Sequence, residues 1–234
     1  MTNPCQEGIM GGILYVVATP IGNLKDITLR AIDVLNQVEY VVAENRERAL
    51  NLLSYLNIRK KIISINSYNE ERKSRKIIEY LIMNQNCALI SSAGTPCISD
   101  PGSYIVRKAY ETGIDVRVVP GPSAASGAIS ASGLYADRFL FFGFLPLKGS
   151  KKKRVLRELS LLPYPIVFFE SPRRLVETLQ FMLTELGNRN AVVFKEMTKL
   201  YEETFRDKLE ALINRFQSTE LKGEYTIIVD GRAG

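Results

Sequence analysis

The chain of 234 residues contains no histidine and no tryptophan, and only three cysteines. Without histidine there can be no Ser-His-Asp triad, Cys-His dyad, His-ligated metal or histidine general base. Three cysteines cannot make a four-cysteine zinc site, and the sparse, odd set Cys5, Cys87 and Cys97 fits a reducing cytoplasm. No stretch approaches the ~18 apolar residues of a membrane span. Residues 1–11 lack the basic start and apolar centre of a signal peptide, and their polar, glycine-containing composition reads as a disordered leader. The phosphate cradle G-x-x-x-x-G-K-[ST] and the dinucleotide fingerprint G-x-G-x-x-G are missing as well. Proton chemistry therefore falls to Asp, Glu, Lys, Tyr or water.

What is present describes a globular protein. Lys and Arg number 31 against 25 Asp and Glu, a net charge of +6, and 46% of residues are hydrophobic, enough to build a core without disulfides. Short β-branched runs at 13–18, 40–43, 61–65, 88–91, 116–119, 139–142, 166–169, 191–195 and 225–229 alternate with amphipathic stretches such as 29–38, 72–83 and 175–186. That alternation predicts an α/β fold of parallel sheets with helices on their faces. The rhythm breaks at 143–150, where Pro146, Gly149 and Ser150 precede a burst of lysines. A linker there divides an N-terminal α/β domain (12–142) from a C-terminal α/β domain (151–234). A cleft between two such domains is a preferred place for a ligand.

Several early runs end in a glycine- and proline-rich loop: Thr19-Pro20-Ile21-Gly22-Asn23-Leu24, Ser92-Ala93-Gly94-Thr95-Pro96 with Ile98-Ser99-Asp100-Pro101-Gly102, and Pro120-Gly121-Pro122-Ser123. If the runs are parallel strands, these loops share the carboxyl edge, where open α/β sheets bind ligands. Tight turns alone also call for glycine and proline, but three such loops on neighbouring strands point to a site. They carry hydroxyls, backbone groups and Asp100 but almost no basic residues, which suits an uncharged or partly cationic ligand such as an adenosyl sulfonium.

These loops, with Leu14-Tyr15-Val16-Val17-Ala18, Phe142-Gly143-Phe144-Leu145-Pro146 and Phe169-Glu170-Ser171-Pro172, resemble in order and spacing the ribosomal RNA small subunit methyltransferase I family, a branch of the tetrapyrrole methylase superfamily. The likeness spans about Gly12 to Gly231. It implies two α/β domains with S-adenosyl-L-methionine in the cleft between them, a homodimer, and methyl transfer to the ribose 2′-oxygen of a cytidine in small-subunit (16S) ribosomal RNA. Carried over by position, the cofactor would meet Pro20, Gly22, Ala93, Gly94, Thr95, Ile98, Ser99, Gly121, Pro122 and Ser123, and from the second domain Phe169, Glu170, Met197, Gly223 and Glu224. The chain departs from the family pattern in several places. Glu-Asp-Thr-Arg is here Glu44-Asn45-Arg46-Glu47, Ser-Asp-Ala-Gly-Thr-Pro opens Ser91-Ser92, Ser-Pro-His-Arg is Ser171-Pro172-Arg173-Arg174, and a His-containing stretch is replaced by Ser67-Tyr68.

A ribose hydroxyl is a poor nucleophile, so a positioned base should help by roughly 10²–10⁴. The candidates are Asp100, Glu44, Lys195 and Glu170, with Asp100 favoured because its loop belongs to the cofactor set. Six basic residues, Lys148, Lys151, Lys152, Lys153, Arg154 and Arg157, crowd one short segment. On the positive end of a helix dipole that placement is unfavourable by about 0.3–1 kcal/mol each, and a bound polyanion would relieve it. These six, with Arg173 and Arg174, are expected to meet RNA phosphates. Two other readings stay open: a methylase of small tetrapyrrole-type molecules, and a non-catalytic RNA-binding or ribosome-assembly factor that keeps the fold.

Overall fold

The structure is a computed structural model describing residues 11–66 and 68–232. Gly11 apart, the expected leader lies outside the described residues. The chain forms two compact units, residues 1–123 and 124–234.

In the first unit, five four-residue strands, β1 (Leu14–Val17), β2 (Tyr40–Ala43), β3 (Lys61–Ser64), β4 (Cys87–Ile90) and β5 (Val116–Val119), form one sheet in the order β3-β2-β4-β1-β5. Every pairing is parallel. Because side chains alternate along a strand, each strand feeds two cores. Val17, Val41, Ala43, Ala88, Ile90 and Val119 pack with α1 (Leu29–Gln37) and α2 (Arg46–Tyr55). Leu14, Val42, Cys87 and Leu89 pack with α3 (Glu70–Ile82) and α4 (Ser103–Glu111) on the other face. Cys87 is a core residue, its thiol pushed up to about 12, chiefly by burial. With all strands parallel, the loops after β1, β2, β4 and β5 emerge at one edge, as the sequence pattern predicts.

The second unit begins with α5 (Ala124–Ala131), not at 143–150. Ala125, Ala128 and Ile129 of α5 are buried against Val167, Val192, Phe194 and Ile228. β6 (Leu140–Phe144) pairs with β7 (Ile166–Glu170), so residues 124–142 belong to this unit. The expected linker is itself structured: Gly143 lies in β6, and Gly149 opens α6 (Gly149–Leu159). Its glycines and proline mark a strand bulge and a helix start rather than a boundary.

The sheet runs β6-β7-β10-β8-β9, with β8 (Asn190–Lys195), β9 (Glu203–Lys208) and β10 (Tyr225–Val229). Only β6 and β7 are parallel; the other neighbours are antiparallel, a departure from the all-parallel expectation. The sequence reading also missed β9. As an edge strand it buries only Phe205, so it shows no apolar run. Helices α6, α7 (Leu175–Leu186) and α8 (Leu209–Gln217) cover the face opposite α5 through Leu156, Leu179, Met182, Leu212 and Phe168. Among the described residues no helix is long and apolar enough to cross a membrane.

Candidate functional site

The loops after β1, β4 and β5 are locked to one another. Thr19 and Gly94 exchange backbone hydrogen bonds of 2.9 and 3.0 Å. The Thr19 hydroxyl donates to the Ser91 carbonyl at 3.3 Å, the Ser91 hydroxyl to the Gly94 carbonyl at 2.7 Å, and the Thr95 hydroxyl to the Pro122 carbonyl at 3.3 Å. Gly94 has φ +81°, and a Cβ there would lie 3.2 Å from Ile21 Cγ2, so both conformation and space favour glycine. The segments carrying Pro20 and Gly22, Ala93, Gly94 and Thr95, and Gly121, Pro122 and Ser123 thus meet at one sheet edge, each tied to the next. Ile98 and Ser99 stand exposed farther along the β4 loop.

The β4 loop also carries Asp100. Burial first, and then the negative charge of Glu44 at the end of β2, push its carboxyl up to about 6. Glu44 accepts from the Ser92 hydroxyl at 3.3 Å, so the serine that replaces the family's aspartate is a partner for this carboxylate. Asn45, another departure, caps α2 by accepting from the Arg48 N–H at 3.0 Å, a role asparagine fills as well as aspartate. None of the segments 18–23, 91–102 and 120–123 contains Lys or Arg. These segments offer hydroxyls, backbone groups and the Asp100 carboxyl, with the Glu44 carboxylate beside them, which fits a neutral adenosyl group carrying a cationic sulfonium.

A residue that sequence reasoning passed over holds this loop. Glu70, in the first turn of α3, accepts backbone N–H bonds from Gly102, Tyr104 and Ile105 at 3.0, 2.9 and 3.3 Å. It supplies the cap that α4 lacks from its own N-cap, Gly102. From sequence, Glu70 shows only as an acid at a helix start.

In the second unit the residues singled out from sequence divide. Phe169, Lys195, Met197, Gly223 and Glu224 stand at one edge, where β7 and β8 end and β10 begins. Gly223 has φ +88°, and a Cβ there would lie 2.5 Å from Glu196 Cγ. Glu196 binds the Glu224 N–H at 2.9 Å and Lys199 at 2.8 Å. Lys195 donates to Glu203 at 2.5 Å, and this bond raises its ammonium above the usual lysine range. Held protonated, it cannot accept a proton near neutrality, and the expectation of a base at Lys195 is corrected.

Glu170, Arg174 and Lys152 turn inward. The Glu170 side chain is 0% exposed, and its carboxylate accepts from Arg174 Nη2 at 2.6 Å, the Ser171 N–H at 2.7 Å and the Thr178 hydroxyl at 2.7 Å. Lys152, the largest fully buried side chain, reaches Glu177 at 3.0 Å and Thr178 at 3.4 Å, with its ammonium 4.8 Å from the centroid of Phe181. All three are consumed by one internal network, because buried charges must be paired. That corrects the expectation of cofactor contact or base duty at Glu170, and of phosphate contact at Lys152 and Arg174. Of the remaining basic cluster, Arg157 pairs with Glu185 at 2.6 Å and Arg154 with Glu158 at 3.9 Å. Lys148, Lys151, Lys153 and Arg173 are exposed.

Residues 13–213 match the family of Tetrapyrrole (Corrin/Porphyrin) Methylases. The chain is 41% identical over 221 residues to the Ribosomal RNA small subunit methyltransferase I of Thermotoga maritima, covering 94% of this chain and 99% of that protein. It is also 41% identical to the protein of that name from Bacillus subtilis, covering 94% of this chain and 75% of the relative. Among solved structures, Uroporphyrin-III C-methyl transferase from Thermus thermophilus complexed with S-adenyl homocysteine superposes with a TM-score of 0.65 at 19% identity, covering 93% of this chain and 97% of the other. At that identity the likeness is one of fold.

Proposed function

We propose, from the premise that this chain belongs to the tetrapyrrole methylase family and its ribosomal RNA small subunit methyltransferase I branch, that it methylates the ribose 2′-oxygen of a cytidine in small-subunit ribosomal RNA. One observation carries the reading: three interlocked loops at a parallel-sheet edge, free of Lys and Arg, carry Asp100, with Glu44 at the end of the neighbouring β2 raising its carboxyl. S-adenosyl-L-methionine supplies a methyl group on a cationic sulfur. The fold likeness to a methylase solved with the demethylated product supports that choice of cofactor.

The chain's own residues have two tasks. The first is positioning, and alignment of this kind is worth effective molarities of order 10⁵ M and above. On the family resemblance, Pro20, Gly22, Ala93, Gly94, Thr95, Ile98, Ser99, Gly121, Pro122 and Ser123 would hold the cofactor, with Phe169, Met197, Gly223 and Glu224 as further candidates. Loops stiffened by proline and cross-bonded through Thr19, Ser91 and Thr95 need little reordering when the ligand arrives. The second task is proton removal from the attacking hydroxyl. Asp100 is suited to it because a carboxyl near 6 is ionised at neutral pH and still more basic than an ordinary aspartate. Glu44 sustains that basicity through its charge. Lys148, Lys151, Lys153, Arg154, Arg157 and Arg173 would meet RNA phosphates. A cytoplasmic homodimer completes the proposal, on the family resemblance.

The test is transfer of labelled methyl groups by the purified protein to small-subunit RNA, as free transcript and in the assembled subunit, with mapping of ribose methylation. Label on a cytidine 2′-oxygen is the expected outcome. Label on a porphyrinoid precursor and none on RNA would replace the reading with a small-molecule methylase.

A further inference from the structure

At the opposite edge of the first sheet, where β2 and β3 begin, lies a groove of about 550 Å³ lined by Tyr40, Arg59, Lys60 and Lys61, among others. A second hollow of about 540 Å³ shares Arg59 and Lys60 with it, so the two adjoin as a trough along this edge. Three of the lining residues of the first groove are cations and one, Glu39, is a carboxylate. Glu39 is already committed, accepting from the Asn86 N–H at 2.5 Å.

The cations here are held in place without carboxylates. The Lys60 ammonium donates to the Asn36 carbonyl at 2.7 Å. Lys61 lies 5.9 Å from the Tyr40 ring centroid, and Lys76 lies 5.6 Å from that of Tyr80. The two rings stack at 4.2 Å and 6° between them. Among the described residues, none of Arg59, Lys60, Lys61 and Lys76 takes part in an ion pair, whereas Lys152, Arg154 and Arg157 of the α6 cluster all do. Three cations against one carboxylate leave the groove net positive, and a row of cations matches a run of phosphates better than a single small anion.

We propose that this trough binds the sugar–phosphate backbone of the RNA substrate, several nucleotides away from the ribose that is methylated. The inference rests on the function proposed above and extends it. A four-residue strand spans about 13 Å, so an RNA strand touching both sheet edges runs about four nucleotides at ~3.4 Å each. That length makes the substrate an RNA tract and not an isolated nucleotide.

The experiment compares the parent with Arg59→Gln/Lys61→Gln, leaving Lys60 and its bond to Asn36 intact. Equilibrium binding of end-labelled small-subunit RNA transcript is measured from 50 to 200 mM salt, alongside S-adenosyl-L-methionine affinity and methyl transfer. Each lost phosphate contact lowers the slope of log affinity against log salt by about 0.7–0.9. The expected result is a slope lower by about 1.5, a raised KM for RNA, and unchanged kcat and cofactor affinity. A variant with the parent's slope and KM, while the parent methylates RNA, overturns this inference alone. A parent that binds cofactor but neither binds nor methylates the RNA removes the proposed function and this inference with it.

Discussion

The two units treat their charged residues in opposite ways. In the first, Asp100 sits on a loop cross-bonded to its neighbours, Glu44 follows β2 beside it, and both carboxylates remain at the sheet edge. In the second, Glu170 pairs with Arg174 and Lys152 with Glu177, and Thr178 joins the two pairs inside the fold. The difference lies in what backs each charge. Behind Asp100 is a loop of small residues and turns that leaves its carboxyl half-buried. Behind Glu170 is α7, whose Thr178 and preceding Arg174 close over the carboxylate. A charge at the carboxyl end of a strand is therefore available for chemistry only when the following helix leaves it room.

The largest effect expected to sharpen this contrast is at Asp100. Asp100→Asn should lower kcat by roughly 10²–10⁴, the usual contribution of a positioned base, with cofactor affinity little changed. In the parent, kcat should fall as pH drops through about 6, and the asparagine variant should lose that dependence. Stability should move the other way. The folded carboxyl titrates above its ordinary 3.8, so its contribution to stability is fullest below that value and is lost as pH rises towards 6. Asparagine has no charge to bury, so the variant should melt slightly higher than the parent above pH 6 and identically below pH 4. Solvent access to the site keeps the gain small. Unchanged turnover at all pH values would place the base elsewhere.

The complementary change in the second unit should cost stability instead of chemistry. Glu170→Ala strips the partner from Arg174 and Thr178 and should lower unfolding free energy by about 3–5 kcal/mol, as breaking a buried pair does. Turnover of the fraction that stays folded should be near that of the parent. Calorimetry and an activity assay normalised to folded protein check both halves. A stable variant with lost cofactor binding would return Glu170 to the site and erase the contrast.

What could be read from the chain follows the same division. The glycine and proline loops were legible because they encode backbone shape, a local property: only glycine takes a φ such as the +81° of Gly94 without steric cost. The fate of Lys152 was not, since it depends on Glu177 and Thr178, 25 and 26 residues further along. Arg59, Lys60 and Lys61 are a modest run of three cations in the sequence; that they line one groove with no ion pair among the described residues shows only in the fold. The unit boundary was misplaced because α5, with its small apolar residues, gives no sign of which sheet it covers.

Glu70 offers the subtlest test, because it joins the two kinds of behaviour: a carboxylate used structurally, holding the loop that carries Asp100. Its three backbone bonds fix the end of the β4 loop just two residues beyond Asp100. Glu70→Gln keeps size and one acceptor oxygen but removes the charge that favours the start of α4, a loss of about 1–3 kcal/mol for a charge-assisted cap. If Glu70 only supports the fold, melting temperature falls and the pH profile of turnover stays with that of the parent. If it positions the loop, the pH midpoint assigned to Asp100 shifts as well, and kcat falls by several-fold more than KM rises. Glu70→Asp, which restores the charge on a shorter arm, should recover part of kcat and of the midpoint together.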